Sequence, residues 1–413
     1  MKEADDRRFP GKRGSGEHLL CLSEEGIFMK FLHLGDLHLG KSLGDFDLIE
    51  DQRYILNQIL EIIENESVDG VLIAGDVYDK AIPSEAAVNL LDYFLCRLSE
   101  KNVQTFMISG NHDSDDRLNY GSDLFEVNQI YISALYHGRL EKHTVTDEHG
   151  EIDIYMLPFV KASQVKHFYP EEEIHSYDDA VRVIMKQAGV DLTRRNVIVA
   201  HQFVTGQSED PALGGSEGAG TQSVGLVEKI GYDCFDAFDY VALGHIHSPQ
   251  RVGREEVRYS GSPLQYSLSE VNNAKSVPVI TMGKKGEISL DFIPLNPMRR
   301  LRHIKGKLKE LLGKENITDA EDFIYVTLTD EEIVNDAMGI FQQVYPNTVK
   351  IDYDNSRTRV IEHVDISDIA QNKSFSELIS DFYRLMYNCE ISEEEMDYMR
   401  IAAQEAGVIN ETD

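Results

Sequence analysis

The chain has 413 residues with 72 acidic against 40 basic side chains, a formal net charge of −32. Its length and its 42% hydrophobic content allow a substantial core and more than one domain, and no apolar run approaches membrane-spanning length, so no membrane partner is expected. The acidic excess argues against binding a polyanion by long-range attraction. The four cysteines Cys21, Cys96, Cys234 and Cys389 lack C-x-x-C spacing, which disfavours a disulfide frame or zinc knuckle and points to reduced thiols in the cytoplasm.

Residues 1–28 mix charges with Gly, Ser and Pro, and their apolar cluster Leu19 to Leu22 is too short for a signal-peptide core. A disordered extension is expected there. Glu24-Glu-Gly26 is encoded by purine-rich codons, as a translated ribosome-binding site would be, so translation is expected to begin naturally at Met29. From 29 to 295, strands are predicted near 30–35, 70–75, 103–108, 153–157, 196–200, 239–243, 256–260 and 277–282. They alternate early with helices and later with hairpins, which predicts an α/β fold, a four-layer αββα sandwich.

Helix 84–98 places Val88, Leu90, Leu91, Tyr93, Phe94, Leu95 and Leu98 on more than one face, so it needs cover on both sides, from its own subunit or from a second copy. Gly206 to Gly225 lacks the G-x-x-x-x-G-K-[ST] pattern and reads as a flexible lid. Residues 296–370 predict a small capping domain: strand Arg300 to Ile304, helix Lys307 to Leu312, strand Phe323 to Leu328, helix Ile333 to Val344 and strand Thr348 to Tyr353. The basic run Arg299 to Lys314 suits either a DNA contact or a solvated face. Residues 371–413 predict helices with S-x-x-E boxes at Ser374/Glu377 and Ser392/Glu395, the first bearing an apolar stripe (Phe375, Leu378, Ile379, Phe382, Leu385, Met386).

Five polar clusters punctuate this pattern: Asp36-Leu-His38, Gly75-Asp76-Val-Tyr-Asp79, Gly110-Asn111-His112-Asp113, His201, and Gly244-His245-Ile-His247. Each follows an apolar run and so sits where a buried strand ends, the edge at which open sheets place their chemistry. Carboxylate, carboxamide and imidazole groups without thiolate suit manganese or iron, with zinc left open. Alone, each cluster is a weak signal, and a lone histidine after a strand is more often structural than ligating. Their ordered occurrence is what points to a metal site. His33 reads as a packed strand residue.

These motifs resemble those of the calcineurin-like metallophosphoesterases, in which two divalent ions about 3.5–4 Å apart share a bridging carboxylate. The resemblance implies that Asp36, His38, Asp76 and His247 hold one ion, that Asp76, Asn111, His201 and His245 hold the other, and that His112 steadies or protonates the leaving oxygen. Asp79 and Asp113 would orient imidazoles or bound water. Met29 to Lys41, Asn111 to Ser114, Tyr259-Ser-Gly-Ser-Pro263 and Leu268-Ser-Glu270 resemble, more narrowly, the SbcD family of bacterial nuclease subunits.

That likeness implies Mn2+-dependent 3′-to-5′ exonuclease action on duplex ends and endonuclease action on single strands and hairpins, in DNA repair and recombination. It also implies a homodimer, formed through the helices after the second and third motifs, and a tail that binds an SbcC-type coiled-coil ATPase. A stand-alone phosphodiesterase acting on small nucleotides would use the same ligands without needing cap or tail. A non-catalytic scaffold for DNA ends is a third reading, against which the complete ligand set speaks.

Overall fold

The structure, a computed structural model, describes residues 28–206, 210–213, 229–356, 358, 375–387 and 390–405. Residues 1–27 of the expected extension, most of the Gly206 to Gly225 stretch, and Ser374 of the first capping box lie outside the described residues.

Two six-stranded sheets pack face to face. In chain order the strands are β1 (Met29–Leu34), β2 (Gly70–Ala74), β3 (Gln104–Ile108), β4 (Ile130–Ser133), β5 (Glu141–Asp147), β6 (Gly150–Leu157), β7 (Arg195–His201), β8 (Tyr240–Gly244), β9 (Gln250–Val252), β10 (Arg254–Tyr259), β11 (Ser276–Met282) and β12 (Ile288–Pro294). The first sheet runs β12-β11-β1-β2-β3-β4 and the second β9-β10-β8-β7-β6-β5. Strands β1 to β4 are mutually parallel, as are β6, β7, β8 and β10, while β5, β9, β11 and β12 join as antiparallel neighbours.

Helices α1 (Ile49–Asn65) and α2 (Glu85–Glu100) cover the outer face of the first sheet, and α3 (Ala162–Phe168) and α4 (Tyr177–Ala188) that of the second. Side-chain alternation explains the layers. Phe31, Leu72, Phe106, Val197 and Val199 point into the space between the sheets, while Leu32, Val71, Ile73, Met107, Ile198 and Val241 pack under the helices. Strands buried on both faces have no polar alternation, and each such side chain contributes about 1.5–3 kcal/mol.

Ser84 caps α2, its hydroxyl accepting from Ala87 N at 3.2 Å. The second apolar face of this helix closes partly within the chain, because Arg53 and Arg97 lie 4.9 and 5.5 Å from the Tyr93 ring centroid and the Tyr93 hydroxyl donates to Asn57. Val88 remains 43% exposed.

Arg195 joins the layers at the edge opposite the clusters. Buried at the start of β7, it pairs with Asp147 at 2.5 and 2.9 Å and donates to the carbonyls of Gly150 (2.7 Å) and Gly283 (3.0 Å). Arg195→Met is expected to cost about 3–5 kcal/mol, because it strands the buried Asp147 carboxylate. A urea-unfolding midpoint equal to that of the parent chain would refute this.

The cap is a parallel sheet, β13-β14-β15 (Leu301–Gly306, Phe323–Leu328, Thr348–Tyr353), packed on α5 (Ala337–Gln342) around Ile324, Val326, Leu328, Phe341 and Tyr345. Its helices are shorter than the sequence predicts. Asp336, at φ 51°, caps Gly339 N at 3.2 Å and leaves Ile333 67% exposed outside the helix, while the stretch 307–312 forms a single turn, Leu308–Leu311. The cap docks through Arg299, which forks onto the Asp51 carboxylate, and through Phe323 against Phe46 with ring centroids 5.9 Å apart.

Three of the seven Lys and Arg side chains of the basic run are paired with the chain's own acids: Arg299 with Asp51, Arg302 with Asp322 and Lys305 with Asp354. Beyond the cap lie α6 (Phe375–Tyr387) and α7 (Glu393–Glu405), the latter opened by a reciprocal Ser392–Glu395 box with bonds of 2.9 and 3.3 Å.

Candidate metal centre

The five clusters meet where the parallel strands of both sheets end: Asp36 and His38 after β1, Asp76 after β2, Asn111 and His112 after β3, His201 at the end of β7, and His245 and His247 after β8. The turns are tight. Asp36, His38, Asp76 and His245 carry φ values of 53°, 43°, 48° and 102°, each a left-handed conformation costing about 1–3 kcal/mol in a residue with a side chain. Glycine permits close approach here, since a Cβ on Gly110 would run into the Asp76 carboxylate, and a Cβ on Gly75 would stand 2.5 Å from His201 Nδ1.

All seven ligand candidates converge. Ligand atoms of Asp36, His38 and His247 form one group within 4.8 Å of one another, and those of Asp36, Asp76 and His201 form a second. Asp76 Oδ2 lies between them, 3.7 Å from His38 Nε2 and 3.3 Å from His201 Nε2. Asn111 Oδ1 is 3.1 Å from His201 Nε2 and 3.0 Å from His245 Nδ1. Asp36 belongs to both groups, so each of the two carboxylates reaches both positions.

Lone pairs crowd at this centre. His201 donates Nδ1–H to the Ala74 carbonyl at 2.7 Å, which turns Nε2 toward the Asp76 carboxylate and the Asn111 oxygen. His38 Nε2 and His247 Nε2 face each other at 3.1 Å. Such atoms come this close only with a proton or a cation between them.

Burial lowers His201, yet the adjacent Asp76 charge outweighs it and lifts the imidazole to about 9. Burial pushes Asp36 up to about 6, holds His38 well below the usual range and takes His245 down to about 3. His38 and His245 are therefore neutral imidazoles, the form that ligates metal. His245 Nε2 has no partner among the described residues. The nitrogen and oxygen donors fit divalent first-row cations.

His112 stands at the mouth, half-buried and edge-on to His38 with centroids 4.9 Å apart. Its backbone N–H donates to Asp76 Oδ1 at 2.8 Å and its Nδ1–H to the Asp79 carbonyl at 3.1 Å, leaving Nε2 free for proton exchange. The Asp79 carboxylate, bridged to Lys41 Nζ at 2.7 Å, lies 3.7 Å from His38 Nδ1. Asp113 bonds to backbone, with no imidazole partner among the described residues. Its carboxylate accepts the N–H groups of Val77, Tyr78 and Gly110 at 3.0, 2.9 and 2.9 Å and so staples two metal-site turns together.

Sequence reasoning missed further groups. Glu270 Oε1 lies 3.3 Å from His247 Nδ1, and Lys275 Nζ lies 2.6 Å from Glu270 Oε2. Burial favours protonating Glu270, but His247 and Lys275 outweigh it and hold the carboxyl at about 2. The buried Tyr259 hydroxyl accepts from Val204 N at 2.6 Å and fixes the segment after His201, while Tyr266 and Gln52 hold the carbonyls of Leu37 (2.6 Å) and His38 (2.8 Å). Tyr259 and Glu270 fall in segments whose wording resembles the SbcD family, but their spacing carried no chemistry.

Residues 29–249 match the sequence model of the calcineurin-like phosphoesterases, and residues 297–387 that of the type 5 capsule protein repressor C-terminal domain. The SbcD subunit of the nuclease SbcCD from Staphylococcus epidermidis is 32% identical over 379 residues, 90% of this chain and 97% of that protein. Among solved structures, a dimetal phosphatase from Danio rerio aligns with 65% of this chain and 99% of its own, at 12% identity and a TM-score of 0.34. The chain belongs to the calcineurin-like phosphoesterases and, within them, to the family of SbcD-type subunits. It is a phosphodiester hydrolase, and its centre is one for divalent metal ions. Among the described residues, no helix is long and apolar enough to cross a membrane.

Proposed function

We propose that this chain is a DNA nuclease, the hydrolytic subunit of a two-protein machine that processes broken ends in the cytoplasm. The observation that carries this reading is the alignment over 97% of a nuclease subunit, because it extends past the hydrolase domain through the cap and into the tail. A phosphodiesterase for small nucleotides has no need of those parts.

Asp36, His38, Asp76 and His247 would hold one ion and Asp76, Asn111, His201 and His245 the other, with Mn2+ the ion assigned from a donor set that suits manganese or iron. When bound, the ions supply positive charge to the phosphoryl oxygens and lower the pKa of water at the site. The chain's own residues do the rest. Asp76 lies between the two ligand groups, and His112, with Nδ1 tied to a carbonyl, presents Nε2 to the leaving sugar oxygen. Duplex ends would be degraded 3′ to 5′, and single strands and hairpins cut internally.

The unit 29–295 carries hydrolysis, 296–370 caps it, and 371–413 binds the coiled-coil ATPase. Dimer formation is supported by the segment after the third motif, where Tyr120, Leu124 and Val127 are 85%, 76% and 83% exposed.

The test is cleavage of a labelled DNA hairpin by the purified chain with Mn2+, with and without its ATPase partner, beside a cyclic nucleotide. DNA cutting that a chelator abolishes is expected. Turnover of the cyclic nucleotide with no DNA cutting under either condition would replace this reading with the small-nucleotide one.

A further inference from the structure

Four imidazoles face the centre, and their outer nitrogens are held unequally. His201 is backed by a backbone carbonyl at 2.7 Å, while His245 Nε2 and His38 Nδ1 have no hydrogen-bond partner among the described residues, the latter standing 3.7 Å from Asp79. Only His247, among the described residues, has a carboxylate within hydrogen-bond distance of its outer nitrogen, Glu270 at 3.3 Å. Glu270 is wholly buried on the short turn Leu268–Glu270. Its other oxygen receives Lys275 Nζ at 2.6 Å and Ser262 Oγ at 3.3 Å. The same ammonium donates to the His247 carbonyl at 2.9 Å and to Ser262 Oγ at 2.8 Å. The pair thus grips His247 at both ends, ring and backbone.

We propose that Glu270 and Lys275 are positioning residues for His247, which make the Asp36, His38 and His247 position the tighter of the two metal sites. The inference rests on the two-metal reading given above. A carboxylate on Nδ1 fixes the tautomer that leaves Nε2 as the ligand, locks the ring's orientation and raises its basicity, and losing such a partner typically weakens metal binding 10–100-fold. Burying two opposite charges is a costly way merely to fill a core, where an apolar pair of similar volume serves at least as well. Lys275 supplies the countercharge to the buried Glu270, and the lysine's bond to the His247 carbonyl fixes the chain at the ligand itself. In the second position Asn111 is exposed, His245 has no outer partner among the described residues, and His201 is backed by a neutral carbonyl rather than a carboxylate.

The test is Mn2+ titration of the full chain, read by equilibrium binding and by the electron paramagnetic resonance signal of the exchange-coupled pair. The variants are Glu270→Gln and the double variant Glu270→Gln with Lys275→Met, which removes the stranded ammonium. The parent chain takes up two ions; uptake of fewer would overturn the two-metal reading and this inference with it. Given two, Glu270→Gln weakens one ion about 10–100-fold and spares the other. The double variant keeps that selective loss while recovering Tm. Unchanged affinity for both ions in both variants overturns the proposal. So does equal weakening of both ions, which indicates general loosening, or failure of both variants to fold, which assigns the pair to the core.

Discussion

Asp76→Asn is expected to abolish turnover, by about a thousand-fold or more, and to cost the chain both ions rather than one. The effect follows from position. Asp76 Oδ2 stands 3.3 Å from His201 Nε2 and 3.7 Å from His38 Nε2, so its charge is shared by both ligand groups, and its Oδ1 receives the His112 N–H at 2.8 Å. Asn preserves the volume and one acceptor but removes the negative charge that balances the positive charge of the ions. Two measurements separate charge from shape: metal content per chain after dialysis against Mn2+, and the rate of hairpin cutting. Retention of two ions with normal cutting would remove Asp76 from the centre of the site and leave Asp36, the other carboxylate reaching both groups, as the bridge.

The same geometry explains what the sequence revealed. Asp36, Asp76, Asn111, His201, His245 and His247 were legible because each follows a strand buried on both faces, and such strands leave unbroken apolar runs such as Val71 to Ala74 and Val197 to Ala200. Strands exposed on one side leave no such run. β5, Glu141–Asp147, buries only Val145, and β12 is half-exposed throughout, so neither was predicted.

Glu270 escaped for a different reason. It lies on a one-turn helix rather than at a strand end, and although its segment resembles the SbcD family, no spacing ties it to a histidine more than the other acids of a chain that has 72. Asp113 was visible from its motif, but spacing cannot show that its oxygens face three backbone N–H groups. In the cap, the strand limits at 323–328 and 348–353 were read from β-branched runs, but Asp336 opens its helix from a left-handed conformation that hydrophobic periodicity cannot register.

His112→Asn should slow DNA hydrolysis about 10²–10⁴-fold, the usual contribution of a positioned acid, while both ions stay bound. The side chain touches the metal centre only at its rim: its ring stands edge-on to His38, and its bond to Asp76 is made by the backbone N–H, which the substitution leaves in place. An Asn amide can also take over the bond to the Asp79 carbonyl, so the turn keeps its shape. What Asn cannot do is deliver a proton. A sugar alkoxide is a poor leaving group and needs one, whereas p-nitrophenolate departs without it. The loss should therefore be large on DNA and small on a p-nitrophenyl phosphodiester, with metal content unchanged. Equal losses on the two substrates would mean that His112 orients the phosphate rather than protonating the leaving oxygen, since an orienting contact is needed whichever group departs.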